Sequence, residues 1–274
     1  GGGVGGGGCG SETENFFLPL PTPHTHSPLT IPTMFQTLST LGRETARIVL
    51  HAACVVCEGE LPWRARKASC CADCWASLPR ISPTHCRYCA APWSGDDPDF
   101  VCGSCMTSPL PVDWTEAWGS YRGSFENVLQ AFKFKRHDFF AAPLAELLEG
   151  ALRARGDLDF DAVVPVPMHR AKLRRRGYNQ AELLARSLGK RIGIRCERAL
   201  LTKTRDLGAQ SKLPRSERAA NVHDAFLASP RAASRRILLV DDVITTGETI
   251  RACAQALLDG GAKRVAAAVV AKTE

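Results

Sequence analysis

The chain has 274 residues, 45% of them hydrophobic, and a formal net charge of +7. This supports a buried core in one substantial domain plus a smaller one. No uninterrupted apolar run approaches the roughly 18 residues of a membrane helix, and no basic start precedes an apolar block in the first thirty residues. No membrane span and a cytoplasmic location are therefore expected.

Residues 1–33 contain a glycine run, five prolines and no Lys or Arg. That composition reads as a disordered or non-native extension. Position 1 is Gly and the first Met is Met34, so a natural start near Met34 is expected, with a genuine disordered tail as the alternative. Residues 34–53 form a helical lead-in. Basic and acidic side chains balance over residues 34–112, whereas residues 113–274 carry 28 basic and 19 acidic ones. The positive field belongs to this second domain, where a polyanionic ligand would bind.

Residues 54–112 hold nine cysteines, eight of them as four CxxC pairs: Cys54/Cys57, Cys71/Cys74, Cys86/Cys89 and Cys102/Cys105. A CxxC turn puts two thiolates on one side of a metal, and a second turn completes the tetrahedron. Four pairs give two four-thiolate sites, suited to structural Zn²⁺ in a double zinc ribbon. Disulfides need an oxidising compartment that nothing else in the chain suggests; they and iron–sulfur remain the alternatives. First pair with second and third with fourth is the expected order. Cys70 competes with Cys71 as ligand, and His85 reads as a surface residue. Cys253 reads as core.

In residues 113–274, a strand is expected over 114–121. Ser124 caps a helix carrying Val128, Leu129 and Phe132 on one side. Pro143 opens a second helix with Leu144, Leu147, Leu148 and Leu152 at helical spacing. Residues 161–166 read as a buried strand. After it, Arg170, Lys172, Arg174, Arg175 and Arg176 crowd a segment at the strand end, where they could neutralise a pyrophosphate. Asn179 caps a third helix, with Glu182 placed for a capping box. Residues 203–218 form a second basic stretch, read as a mobile segment able to fold over a ligand. A strand over 237–241, a helix over 248–258 and a last strand over 265–271 complete an α/β alternation. It implies a parallel sheet with ligands beyond its carboxyl ends.

Residues 237–250 read ILLVDDVITTGETI. A short apolar strand leads to Asp241 and Asp242, then to a turn with Thr245, Thr246, Gly247 and Thr249, then to a helix. Such a turn aims unpaired N–H groups and a positive helix end at an anion. Carboxylates at the strand tip suit vicinal hydroxyls or a Mg²⁺-bound ligand. A sugar phosphate carries both groups. The segment resembles the phosphoribosyl-pyrophosphate (PRPP) motif of type I phosphoribosyltransferases. The resemblance implies that Asp241 and Asp242 are the catalytic pair and hold the ribose hydroxyls. It also implies that Val243, Thr245, Thr246, Gly247 and Thr249 belong to the ligand loop, with Mg²⁺ accompanying PRPP. Arg174, Arg175 and Arg176 would favour the departing pyrophosphate.

The ribbons, FKFKRHD, RRRGYNQ, TKTRDLGAQSKLPRSERAANVHDAF and VDDVITTGET occur in that order. From about Met34 to the end, the chain resembles the ComF family (competence protein F and its GntX-like relatives). The resemblance implies a type I phosphoribosyltransferase fold behind the ribbons and an association with DNA uptake in competent bacteria. Competence-machinery proteins are then implied as partners. Three functions fit: a transferase with an unidentified acceptor, a single-stranded DNA handler, or a non-catalytic PRPP or nucleotide sensor. For the second, Lys133, Phe134, Lys135, Arg136, Phe139 and Phe140 mix charge with aromatic rings as stacking platforms do.

Overall fold

The computed structural model describes residues 53–61, 69–134, 137–204 and 225–274. The extension over 1–33, the lead-in up to residue 52, Lys135, Arg136 and residues 205–218 lie outside these. The described residues belong to one unit, His51–Glu274.

The cysteine-rich part is the same local structure built twice. Each half opens on a CxxC knuckle closed by a left-handed residue, Glu58 (φ 59°) or Ala90 (φ 56°). The N–H of that residue donates to the carbonyl of the first cysteine, at 2.9 Å for Glu58 and 2.8 Å for Ala90. Each half ends on a short helix, α1 (Ala72–Ala76) or α2 (Gly103–Thr107), with Cys71 or Cys102 at its N-cap. His85 departs from the expected surface position. Its side chain is 9% exposed and lies 3.7 Å from the Glu116 carboxylate.

The rest is a four-stranded parallel sheet in the order β1–β6–β5–β2, comprising β1 (Thr115–Ser120), β2 (Ala162–Pro165), β5 (Arg236–Ile244) and β6 (Arg264–Lys272). Strands covered on both faces read as continuous apolar runs rather than alternating ones. Here Ile237–Val240 and Val265–Val270 are buried throughout. One face packs against α3 (Ser124–Phe132), α4 (Ala141–Arg155) and α6 (Gln180–Ile192) through Leu129, Leu148 and Leu184. The other packs against α7 (Glu248–Asp259), against a small hairpin of β3 (Leu201–Lys203) and β4 (Phe226–Ala228), and against Ala90, Leu110 and Val112 from the ribbon side. Cys253 is core, as expected.

Phe140 is buried and Phe139 packs against the same core. Phe140 stacks on Trp75 of the first ribbon, so its ring is not available to a base, whereas Phe139 is half-buried against Phe140 and His137. Helix α3 starts at Ser124 with Gly123 (φ 54°) in the cap position, so Ser124 is the first helical residue rather than its cap. Asn179 does cap α6, accepting from the Ala181 N–H. Glu182 is engaged by Arg186 and Arg198.

The sheet is uneven at its carboxyl end. Strand β2 stops at Pro165, opposite Val240, while β5 runs on to Ile244. Asp241 and Asp242 therefore lie inside a strand, which runs three residues beyond the expected end at 241. They have β6 on one side and no β2 residue on the other.

Candidate functional site

The crevice left by the short β2 is a cavity of about 670 Å³ at the carboxyl ends of β2 and β5. Asp241 and Asp242 line it, together with Thr249 near the start of α7. Both carboxylates are half-buried, and each accepts the N–H of the following residue: Asp242 N to Asp241 at 2.9 Å and Val243 N to Asp242 at 3.0 Å. Those bonds fix the two side chains in place. Burial, then the neighbouring Asp242 charge, pushes the Asp241 carboxyl well above the usual carboxylate range.

The turn Thr245–Gly247 joins β5 to α7. Thr245 and Thr246 are exposed, and Gly247 is buried in the left-handed region (φ 85°) at the N-cap of α7. A Cβ there would stand 3.0 Å from Leu110. At its other end the turn is held by Lys272, a buried ammonium donating to the Thr245 carbonyl at 3.0 Å and to the Thr273 carbonyl. The turn thus presents free hydroxyls, the first N–H groups of a twelve-residue helix and a cation behind them. Val243, which follows the acidic pair, packs its side chain against the helical core.

The basic run is a helix, α5 (Arg170–Arg176), rather than a loop. His169 caps it, accepting from the Ala171 N–H at 3.3 Å, and Gly177 (φ 92°) ends it. Helical spacing then sorts the charges. Lys172, Arg175 and Arg176 are related by three and four positions and share one face, which lines the cavity. Arg174 falls about 200° around the helix from Lys172; it is exposed and is not among the residues that line the cavity. Lys133 from the end of α3 and Lys203 from β3 complete the basic wall. Lys133 Nζ lies 3.9 Å from Asp242. Burial lowers the Lys172 ammonium, and the positive charges of Arg176 and Lys203 lower it further. The cations outnumber the anions in the cavity, which is the electrostatics of a polyanion site. Sequence reading places Lys133 in an aromatic–basic platform and Lys203 in a mobile basic stretch and passes over Lys272; only the sheet brings the three elements they come from together.

The cysteines form two tetrads, Cys54/Cys57/Cys71/Cys74 and Cys86/Cys89/Cys102/Cys105, the sulfurs of each within 4.8 Å of one another. Four thiolates at about 2.3 Å from a tetrahedral zinc stand roughly 3.8 Å apart. Cys57 and Cys71 are 3.8 Å apart and Cys89 and Cys102 3.6 Å, so the geometry fits the ion. Burial raises the Cys54 and Cys86 thiols, but backbone N–H groups outweigh it and bring them down to about 6 and about 7. Cys70 stands outside the first tetrad and donates to the Cys71 carbonyl. Burial and the Cys54 charge push it up to about 12, so it stays a thiol. The second ribbon is tied to the sheet domain beside the turn, with Arg251 of α7 donating to the carbonyls of Ser108 (2.9 Å) and Pro109 (2.7 Å).

Comparison with known proteins agrees with both halves. Residues 140–274 match the phosphoribosyl transferase domain family and residues 45–106 the double zinc ribbon domain family. The chain is 30% identical over 190 residues to the DNA utilization protein YhgH of Escherichia coli K12, covering 68% of this chain and 83% of that protein. It is 28% identical over 222 residues to competence protein F of Haemophilus influenzae, covering 77% and 93% of the two chains. With competence protein ComFC of Streptococcus pneumoniae it shares 27% identity over 198 residues, 71% and 84% of the two. Among the described residues no helix is long and apolar enough to cross a membrane. A parallel α/β domain of phosphoribosyltransferase type behind two cysteine tetrads, together with these relatives, places the chain in the competence protein F (ComF) family.

Proposed function

We propose that the cavity binds PRPP. The observation that carries this reading is the sorting of charge within it: two carboxylates at the end of β5 face a wall of Lys133, Lys172, Arg175, Arg176 and Lys203. A simple phosphate would be repelled by the acids, and a neutral sugar would leave the cations unpaired. PRPP satisfies both halves. Asp241 and Asp242 accept from the ribose 2′- and 3′-hydroxyls. Thr245, Thr246, Gly247 and Thr249 hold the 5′-phosphate at the start of α7, where the helix dipole favours an anion. The basic wall takes the pyrophosphate. A Mg²⁺ ion bound together with PRPP would add positive charge beside the leaving group.

As a transferase, the protein breaks the bond between ribose C1 and the pyrophosphate oxygen, and an acceptor nucleophile bonds to C1 and gives up a proton. The sugar becomes cation-like in between, so the chain contributes positioning, a carboxylate pair near the ribose and stabilisation of the leaving anion. Release of pyrophosphate from PRPP, measured across a panel of nucleobases and amines, tests turnover. A protein that binds PRPP and releases none is a sensor.

The relatives named for DNA utilization and competence support a role in DNA uptake, with competence proteins as partners. Phe134, 67% exposed beside Lys133, favours single-stranded DNA as a ligand of the basic rim. Fluorescence polarisation with labelled single strands tests it. Binding should weaken steeply with salt, and absence of binding at low salt removes this role. Zn²⁺ in both tetrads is structural, because four thiolates leave no open position.

A further inference from the structure

Gln180 is the first residue of α6, and its side chain is buried at 2% exposure. Its orientation is fixed. Oε1 accepts from Arg176 Nη1 at 3.0 Å. Since a guanidinium can only donate, the amide oxygen must face Arg176 and the amide nitrogen must face the other way. That nitrogen, Nε2, has no hydrogen-bond partner among the described residues. Gln180 also lines the cavity that holds Lys172, Arg175 and Arg176. In neighbouring Asn179 both polar atoms have partners, Oδ1 capping α6 and Nδ2 donating to the Val166 carbonyl at 3.0 Å.

A buried amide donor left unpaired destabilises a fold. Such a group persists where a ligand supplies its partner. The partner must be an acceptor, and Gln180 lines the same cavity as Lys172, Arg175 and Arg176, so the acceptor that suits this cavity is an anionic oxygen. We propose that Gln180 Nε2 donates to a non-bridging oxygen of the pyrophosphate group. Gln180 is then a ligand-contacting residue that also pins Arg176 against the same phosphoryl group. The inference deepens the PRPP reading and rests on it for the identity of the ligand.

A Gln180→Met substitution keeps the length and apolar bulk and removes the amide. Because it also removes an unsatisfied buried donor, the ligand-free protein should melt within a few degrees of the parent or higher. Affinity for inorganic pyrophosphate, read by calorimetry, should fall about tenfold or more, the scale of a hydrogen bond to a charged group. Gln180→Glu should lower it further, by setting a carboxylate against the phosphate. Unchanged pyrophosphate affinity in Gln180→Met overturns the inference. So does a fall in affinity accompanied by a large fall in melting temperature, since that marks a structural residue. Asp241→Asn with Asp242→Asn separates the two claims. That variant should lose PRPP while keeping pyrophosphate, so the ribose reading can fail while the Gln180 contact stands, and the converse.

Discussion

Leu110, just beyond the second ribbon, lies directly against Gly247 in the ligand turn: a Cβ on that glycine would stand 3.0 Å from the Leu110 Cδ1 and 3.1 Å from its Cδ2. The turn is therefore backed by the ribbon side at one end and by Lys272 at the other.

Gly247→Ala adds both a left-handed alanine and this contact. It should destabilise the protein by about 1–2 kcal/mol and weaken PRPP binding. Urea unfolding of the single variant and of Gly247→Ala with Leu110→Ala separates the two causes. Relief of the contact should recover part of the loss, and the backbone strain should remain.

Loss of the second metal should be felt at the same turn. Cys86→Ser should reduce zinc from two ions per chain to one, by elemental analysis, and cost several kcal/mol of stability. Amide exchange of the segment around Gly247 should quicken, because Arg251 would no longer be clamped to Ser108 and Pro109. Full zinc content in this variant would contradict the tetrad.

Asp241 gives a pH-dependent signature. Its carboxyl is raised in the folded protein by burial and by Asp242. The folded state then holds more protons than the unfolded one above the ordinary carboxylate pKa, so stability falls as pH rises through that region. Asp241→Asn should stabilise the ligand-free protein near pH 7, on the order of 1 kcal/mol, with the gain shrinking as pH falls towards 4. Melting curves at the two pH values read this directly. A gain that stays constant with pH would contradict the assignment.

The faces of α5 make a contrast that a flexible basic loop would not. Arg175→Met and Lys172→Met should each weaken PRPP binding about tenfold and flatten its salt dependence. Arg174→Met should change affinity less than about twofold, its side chain being off the cavity face. Equal losses at all three positions would show that only net charge matters.

Much of this was legible in the sequence, for identifiable reasons. The apolar strands of β2, β5 and β6 are buried on both faces and are continuous runs, so they stand out without periodicity. The CxxC spacing carries its own geometry. Asp241 and Asp242 stand in a motif local enough to read. What stayed hidden depends on tertiary neighbours. The helix at 170–176 carries too few apolar residues to show an amphipathic stripe. That Lys133 and Lys203 share one cavity, and that Lys272 backs the turn, depends on three separate elements meeting. Phe140 looks like an aromatic platform beside basic residues until Trp75 and the α4 core enclose it.

The central claim is that paired carboxylates grip a pentose while a turn and a basic wall grip its phosphates. Calorimetric titration of PRPP with Mg²⁺ into the parent protein and into Asp241→Asn/Asp242→Asn tests it most directly. One saturable site in the parent, weakened at least about a hundredfold in the variant while pyrophosphate still binds, is the expected result. Equal PRPP affinity in the two proteins would contradict the account.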